Sequence, residues 1–184
     1  GDGKDFSTFH IMKIETMEVV AEYQGKVTPD IFANLINNAG KEYGDCMVIV
    51  ENNSVGFSVL EKLKEFNYPN IYFSYKSSHE YVAAHEAEFK SNTIAGFTTS
   101  MKTRPLIIAK MEEFVRNGII TVYSKRLINE MRTFVWHSGK PQSMKGYNDD
   151  LIIACAIACW IKDTVFEINK REVEYKKSFL SCFT

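Results

Sequence analysis

Glu51, Asp149 and Asp150 are the side chains whose places in the sequence suit them best to metal chemistry. The two aspartates stand in Gly146-Tyr147-Asn148-Asp149-Asp150-Leu151, directly before an uncharged run from Leu151 to Ile161. A helix that is apolar all round belongs in a core, so acids at its start are half-buried and held in position. The plainest role for one such acid is an N-cap, because Asp and Asn are favoured there and negative charge suits the positive end of the helix dipole. A pair of acids matched by a third elsewhere points beyond capping. The third acid is Glu51, which closes the run Cys46-Met47-Val48-Ile49-Val50 ahead of Asn52 and Asn53. That run reads as a buried strand with Glu51 at its C-terminal tip, the end of an open α/β sheet at which ligands collect.

Carboxylates converging from separate elements are what metal-assisted hydrolysis of a phosphodiester requires, with two Mg2+ roughly 4 Å apart activating water and stabilising the leaving oxygen. Mg2+ takes hard oxygen ligands and keeps several waters, so a few acids suffice. A third corner should come from the first strand, and the chain offers Asp2 and Asp5 just ahead of Phe6; the plainer reading of these two is solvated terminal acids. Four cations are placed to meet phosphates: Lys102 and Arg104 at a helix start, and Lys140 and Lys145 in the loop leading to Asp149. Contacts of that kind track the nucleic-acid backbone, independent of sequence and sensitive to salt. His137 reads as a surface histidine.

The elements that must carry these groups follow from periodicity and punctuation. Phe6 to Ile14 and Met17 to Tyr23 read as two strands joined by Glu15-Thr16 in an antiparallel hairpin. Thr28-Pro29 predicts a helix start with Thr28 as N-cap, and Ile31, Leu35, Ile36 and Ala39 mark its apolar face. Phe57, Leu60, Leu63 and Phe66 mark a second helix, and Ile71 to Tyr75 a strand. Lys76 to Ser100, with His79, Glu80, His85, Glu86 and Glu88, has no clean period and reads as one long irregular stretch. A helix from Thr103-Arg104-Pro105 to Gly118 follows, then a short strand from Ile119 to Tyr123, a helix from Leu127 to Trp136, and a loop from His137 to Gly146. The order predicts an α/β fold, a mixed sheet with helices on its faces.

Bulk composition is that of an ordinary globular protein, with 22 basic against 23 acidic residues and a net charge of −1. Nothing in that balance signals nucleic acid globally, and a local basic patch can still bind it. The four cysteines (46, 155, 159 and 182) form no Cys-x-x-Cys pair and have no His partners at zinc spacing; they read as free thiols in a reducing compartment. The longest apolar run is too short to span a bilayer, so no membrane association is expected. The N-terminus resembles no signal peptide and begins abruptly, as a piece of something larger would. The domain reading is 1–168 for the globular part and 169–184 for a charged C-terminal tail.

Three blocks together resemble a known family: Val50-Glu51-Asn52-Asn53-x-x-Gly56, Lys102-Thr103-Arg104-Pro105 before a helix, and Gly146-Tyr147-Asn148-Asp149-Asp150-Leu151-Ile152-Ile153-Ala154. In this order and spacing they are similar to the C-terminal nuclease domain of the large terminase subunit of tailed phages, most of all the T-even-type packaging motors, over Gly1 to about Thr164. The resemblance implies a ribonuclease H-like fold of the resolvase type. It also implies an Mg2+- or Mn2+-dependent endonuclease that cuts concatemeric double-stranded phage DNA during headful packaging, in the cytoplasm of the infected host. Implied partners are an ATPase motor domain of the same full-length protein, the portal and the small terminase subunit. Glu51 then matches the family's second catalytic acid, and Asp149, two before Leu151 and five before Ala154, the last, with Asp150 as a neighbouring ligand. The first departs from the pattern. Gly1 to Asp5 looks like the turn that follows the family's first catalytic Asp, which would place that Asp ahead of Gly1 and leave Asp5 as an auxiliary ligand. No Walker A motif occurs in this chain. A resolvase-like nuclease, or a non-catalytic module gripping DNA or a portal, is the alternative.

Overall fold

Alternation of side chains along two extended segments divides the interior into two cores. Val48, Val50 and Ile71 pack on one side with Phe32, Ala33, Ile36, Val59, Leu60 and Leu63. Tyr72 and Phe97, joined by Met47 and Ile49, pack on the other with Ile107, Ile108, Met111, Phe114 and the Leu151–Ile161 face. A period of two places successive residues on opposite faces of a strand, so one thin layer of extended chain supports helices on both sides. The computed structural model describes residues 6–76, 81–82, 87 and 91–162. Asp2, Asp5, His79, Glu80, His85, Glu86, Glu88, Cys182 and the tail from Asn169 lie outside them.

The chain opens with β1 (Ser7–Lys13) and β2 (Glu18–Gly25), antiparallel as expected, with a register shift between Ile11 and Met12. Phe9 stacks on Tyr23, and both rings meet Phe32 at a tilt where this hairpin meets α1 (Pro29–Glu42). Pro29 opens α1, but the buried face is Phe32, Ala33, Ile36, Asn37 and Gly40, while Ile31 is exposed. The predicted face was rotated by about one residue because Phe32, not Ile31, reaches the β1–β2 aromatics. In α2 (Ser54–Glu65), Gly56, Val59, Leu60 and Leu63 are buried and Phe57 is exposed.

The run ending at Glu51 is extended but pairs only through isolated parallel bridges, Val48 with Ile71 and Glu51 with Phe97. The stretch expected to be irregular instead contributes β4 (Tyr81–Val82) and β5 (Thr93–Ala95), which flank β3 (Phe73–Tyr75) in an antiparallel order β4-β3-β5. Strands this short carry no readable period. Ile119 to Tyr123 is likewise reduced to one parallel bridge, Thr121 with Glu18.

After α3 (Thr103–Arg116) and Gly118 in the left-handed region, α4 spans Lys125–Arg132. The predicted helix to Trp136 stops four residues earlier, and the predicted loop after it is half strand. β6 (Phe134–His137) and β7 (Lys140–Ser143) form an antiparallel hairpin. Its two-residue turn is Ser138-Gly139, both with positive φ (51° and 73°), the turn that matches the twist of paired strands. Last comes α5, residues 150–162, largely buried, with Cys155 and Cys159 as free buried thiols.

One buried polar contact ties the first hairpin to α5. The Nε2 of His10 lies 3.1 Å from the carbonyl of Leu151, and its Nδ1 faces Glu22, itself paired with Arg126, at 3.8 Å. Burial holds the His10 pKa below its ordinary 6.5, outweighing the Leu151 carbonyl and Glu22, which raise it; Arg126 adds to the lowering. The unfolded chain therefore binds a proton that the folded one refuses, and stability falls as pH drops through 6.5 toward the folded value, by up to ~1.4 kcal/mol per pH unit. The urea midpoint is expected to be lower at pH 5.5 than at pH 7.5, with a smaller difference in His10→Gln. An equal pH dependence in the two proteins would refute this assignment.

Candidate metal-binding active site

Glu51 sits where the extended run turns into α2, and the turn is built to hold it. Asn53 caps α2 by accepting from the amide of Gly56 at 2.8 Å, and its Nδ2 donates to Glu51 Oε2 at 3.2 Å. The backbone on either side is pinned to Phe97: the Phe97 amide donates to Val50 at 2.8 Å and the Asn52 amide to Phe97 at 2.9 Å. Buried Asn52 also donates to the carbonyl of Ala95. The Glu51 carboxylate is thus carried on fixed backbone and faces a cleft.

That cleft, about 890 Å³, is lined by β1 and the 46–51 run, and Glu51, Arg104, Asp149 and Asp150 all border it. Ile153 and Ile157 of α5 and Ile36 of α1 line it too. Among the described residues, β1 pairs with β2, and the 46–51 run bridges to Ile71 and Phe97.

Asp149 is not the cap that a lone aspartate at this place would be. The amides of Leu151 and Ile152, which an N-cap side chain would take, donate instead to Oε2 of Glu130 at 3.0 and 3.1 Å. The Asp149 carboxylate is left to the cleft, where Oδ2 accepts from Arg104 Nη2 at 2.5 Å. Arg104 is fixed from two sides, since its Nε donates to the carbonyl of Pro141 in β7 at 3.1 Å. Both partners of the Arg104–Asp149 pair are about one-quarter exposed, so the guanidinium is a local counter-ion at the edge of solvent. Arg104 is presented by the start of α3, where Ser100 and Thr103 cap reciprocally: the Thr103 amide donates to Ser100 Oγ and the Ser100 amide to Thr103 Oγ1.

Of the residues expected at the site, Glu51, Asp149, Asp150 and Arg104 share the cleft. Lys102, Lys140 and Lys145 are exposed and lie outside its lining. His137 is exposed on β6. No three described His, Cys, Asp or Glu side chains are close enough together to hold a metal ion. The donors present are nonetheless carboxylate oxygens, the ligand type Mg2+ and Mn2+ take, and Asp149 is paired with the guanidinium of Arg104. The donor chemistry fits such a metal, with fewer acids than a complete site needs.

Sequence reasoning missed Glu130. It is buried, and desolvation raises its pKa, with the charges of Asp150 and Asp149 adding and the Ile152 and Leu151 amides opposing. The available signal was its spacing three residues after buried Leu127, on the inward face of α4.

No protein-family model matches the chain. Its structure is similar to the large terminase nuclease from thermophilic phage G20c. With bound magnesium that protein matches at TM-score 0.64 and 15% identity, over 86% of this chain and 76% of that one. With bound cobalt it matches at TM-score 0.63 and 15% identity, over the same shares. The large terminase nuclease domain of Thermus phage P74-26 matches at TM-score 0.62 and 16% identity, over 86% of this chain and 73% of that one. The chain has the ribonuclease H-like fold of the large-terminase nucleases. No described helix is long and apolar enough to cross a membrane.

Proposed function

We propose that this protein is a divalent-metal-dependent endonuclease that cuts concatemeric double-stranded phage DNA during headful packaging. The observation that carries the reading is the presence of Glu51 and Asp149, from separate elements, in one cleft of a fold shared with metal-bound terminase nucleases. In this reading Glu51, Asp149 and Asp150 hold Mg2+ or Mn2+, which when bound activates water and stabilises charge on the scissile phosphate. Arg104, a counter-ion to Asp149 in the free protein, turns toward phosphate. Lys102, Lys140 and Lys145 track the backbone outside the cleft, which gives weak sequence specificity.

A further acid is needed, and the reading gives that place to Asp5 as an auxiliary ligand. The ATPase motor domain, portal and small terminase subunit are the proposed partners, in the cytoplasm of an infected bacterium.

The test is cleavage of supercoiled plasmid by the full natural chain with Mg2+ or Mn2+, against an EDTA control. Nicked and linear products that need the metal support the reading, and intact plasmid under every condition overturns it. The absence of a three-acid cluster among the described residues favours a second reading, a module that grips DNA without cutting. Such a module would retard DNA in gels equally with and without metal. Preference for a four-way junction over linear duplex would indicate a resolvase-like enzyme of the same fold.

A further inference from the structure

We propose that Glu130 is a positioning residue that keeps Asp149 available to the metal by capping α5 in its place. The inference rests on the metal-binding reading above. Its basis is an exchange of roles at the start of α5. The residue before a helix normally satisfies the first free amides with its own side chain, and Asp149 has the chemistry to do so. Here both amides are already taken by one carboxylate oxygen from α4. The other oxygen, Oε1, accepts from Gln24 of β2 at 3.3 Å. Glu130 is 9% exposed, and Leu127, one turn earlier on the same face, is fully buried. The acceptor is therefore locked by packing from α4 and by a hydrogen bond from β2.

Removing the acceptor leaves two buried amides without partners, and Asp149, at the N-cap position, carries a carboxylate of the kind that ordinarily takes them. Taking that bond turns Asp149 away from Arg104 and from the cleft. The role is one of acceptor placement. A glutamine at 130 can still offer a carbonyl oxygen to both amides, and Gln24 can turn its amide to match.

The experiment is Mn2+ binding to the full chain, with free Mn2+ read by EPR, for the parent, Glu130→Gln, Glu130→Ala and Leu127→Ala. Removing a partner that orients a metal ligand typically weakens affinity by roughly 10- to 100-fold, and that loss is expected for Glu130→Ala. Glu130→Gln is expected to stay within about threefold of the parent by the same comparison. Leu127→Ala loosens the same α4–α5 packing without touching the acceptor and is expected to lower the melting temperature while keeping Mn2+ affinity. If Glu130→Ala does not fold, Glu130→Met fills the space without an acceptor and takes its place. Parent-like affinity in a folded Glu130→Ala or Glu130→Met overturns the role of Glu130, as does Leu127→Ala losing affinity to the same degree. A Glu130→Gln as weak as the alanine variant also overturns it. A parent that takes up no Mn2+ overturns the metal reading itself, so the two failures are distinguishable.

Discussion

Glu51→Ala and Asp149→Ala are each expected to lower metal-dependent plasmid cleavage by on the order of a thousandfold, the scale on which removal of a preorganised electrostatic group acts on a transition state. Folding should survive both changes, and magnitudes show why. The side chain of Glu51 accepts an exposed hydrogen bond from Asn53, worth about 1 kcal/mol. Asp149 pairs with Arg104 where both are partly solvated, and pairs of that kind contribute about 0–1 kcal/mol. A loss of activity near a thousandfold corresponds to roughly 4 kcal/mol in the barrier, well beyond either structural term. The melting temperature should therefore move by only a few degrees while cleavage disappears. Asp149→Asn refines the test, since it keeps a hydrogen-bond acceptor for Arg104 and removes the charge a metal needs. If both alanine variants cut at the parental rate, these residues are not the ligands.

The candidate acids were legible because they stand beside punctuation. Glu51 ends an apolar run at Asn52-Asn53, and Asp149 precedes an uncharged helix, so each announces the end of an element. What escaped was everything that depends on contact between distant elements. Glu130 in isolation is a charged residue on a short helix, ordinarily a solvated one. Its role exists only because α5 brings two unpaired amides against it. The β6–β7 hairpin was hidden because Leu127, Ile128, Met131 and Val135 continue a helical spacing past Arg132, where the chain leaves the helix. The dipeptide Ser138-Gly139 marked a turn, but Lys140-Pro141-Gln142-Ser143 has little strand propensity to support a strand behind it. β4 and β5 are too short to show alternation and form through pairing with β3. Arg104 stands where the sequence suggests a phosphate contact, and the structure pairs it with Asp149, a contact between distant elements that no local pattern announces.

Gly56→Ala is expected to disable fold and site together, more than its size suggests. A Cβ at Gly56 would stand 1.8 Å from the carbonyl oxygen of Glu51 and 2.9 Å from its carbonyl carbon, distances no side-chain rotation can relieve. Something in the backbone must move. The Glu51 side of the contact resists, because Val50 and Asn52 are hydrogen-bonded to Phe97 on either side of it. The start of α2 must then retreat, which breaks the Asn53 cap on the Gly56 amide at about 1 kcal/mol and opens the packing of Val59 and Leu60. Overpacking of this kind costs roughly 1–3 kcal/mol more. A drop in unfolding free energy of about 2–4 kcal/mol is therefore expected in urea titration. The protein that remains folded should cut DNA poorly, because Asn53, which holds the Glu51 carboxylate, moves with the start of α2. Gly44→Ala separates this steric effect from ordinary glycine conformational cost. Gly44, unlike Gly56, has positive φ, 73°, and nothing lies within 4 Å of its Cβ position, so only the left-handed penalty of about 1–2 kcal/mol applies and cleavage should be retained. Equal losses of stability and activity in the two variants would mean that the close approach of α2 to Glu51 is not what sets the site.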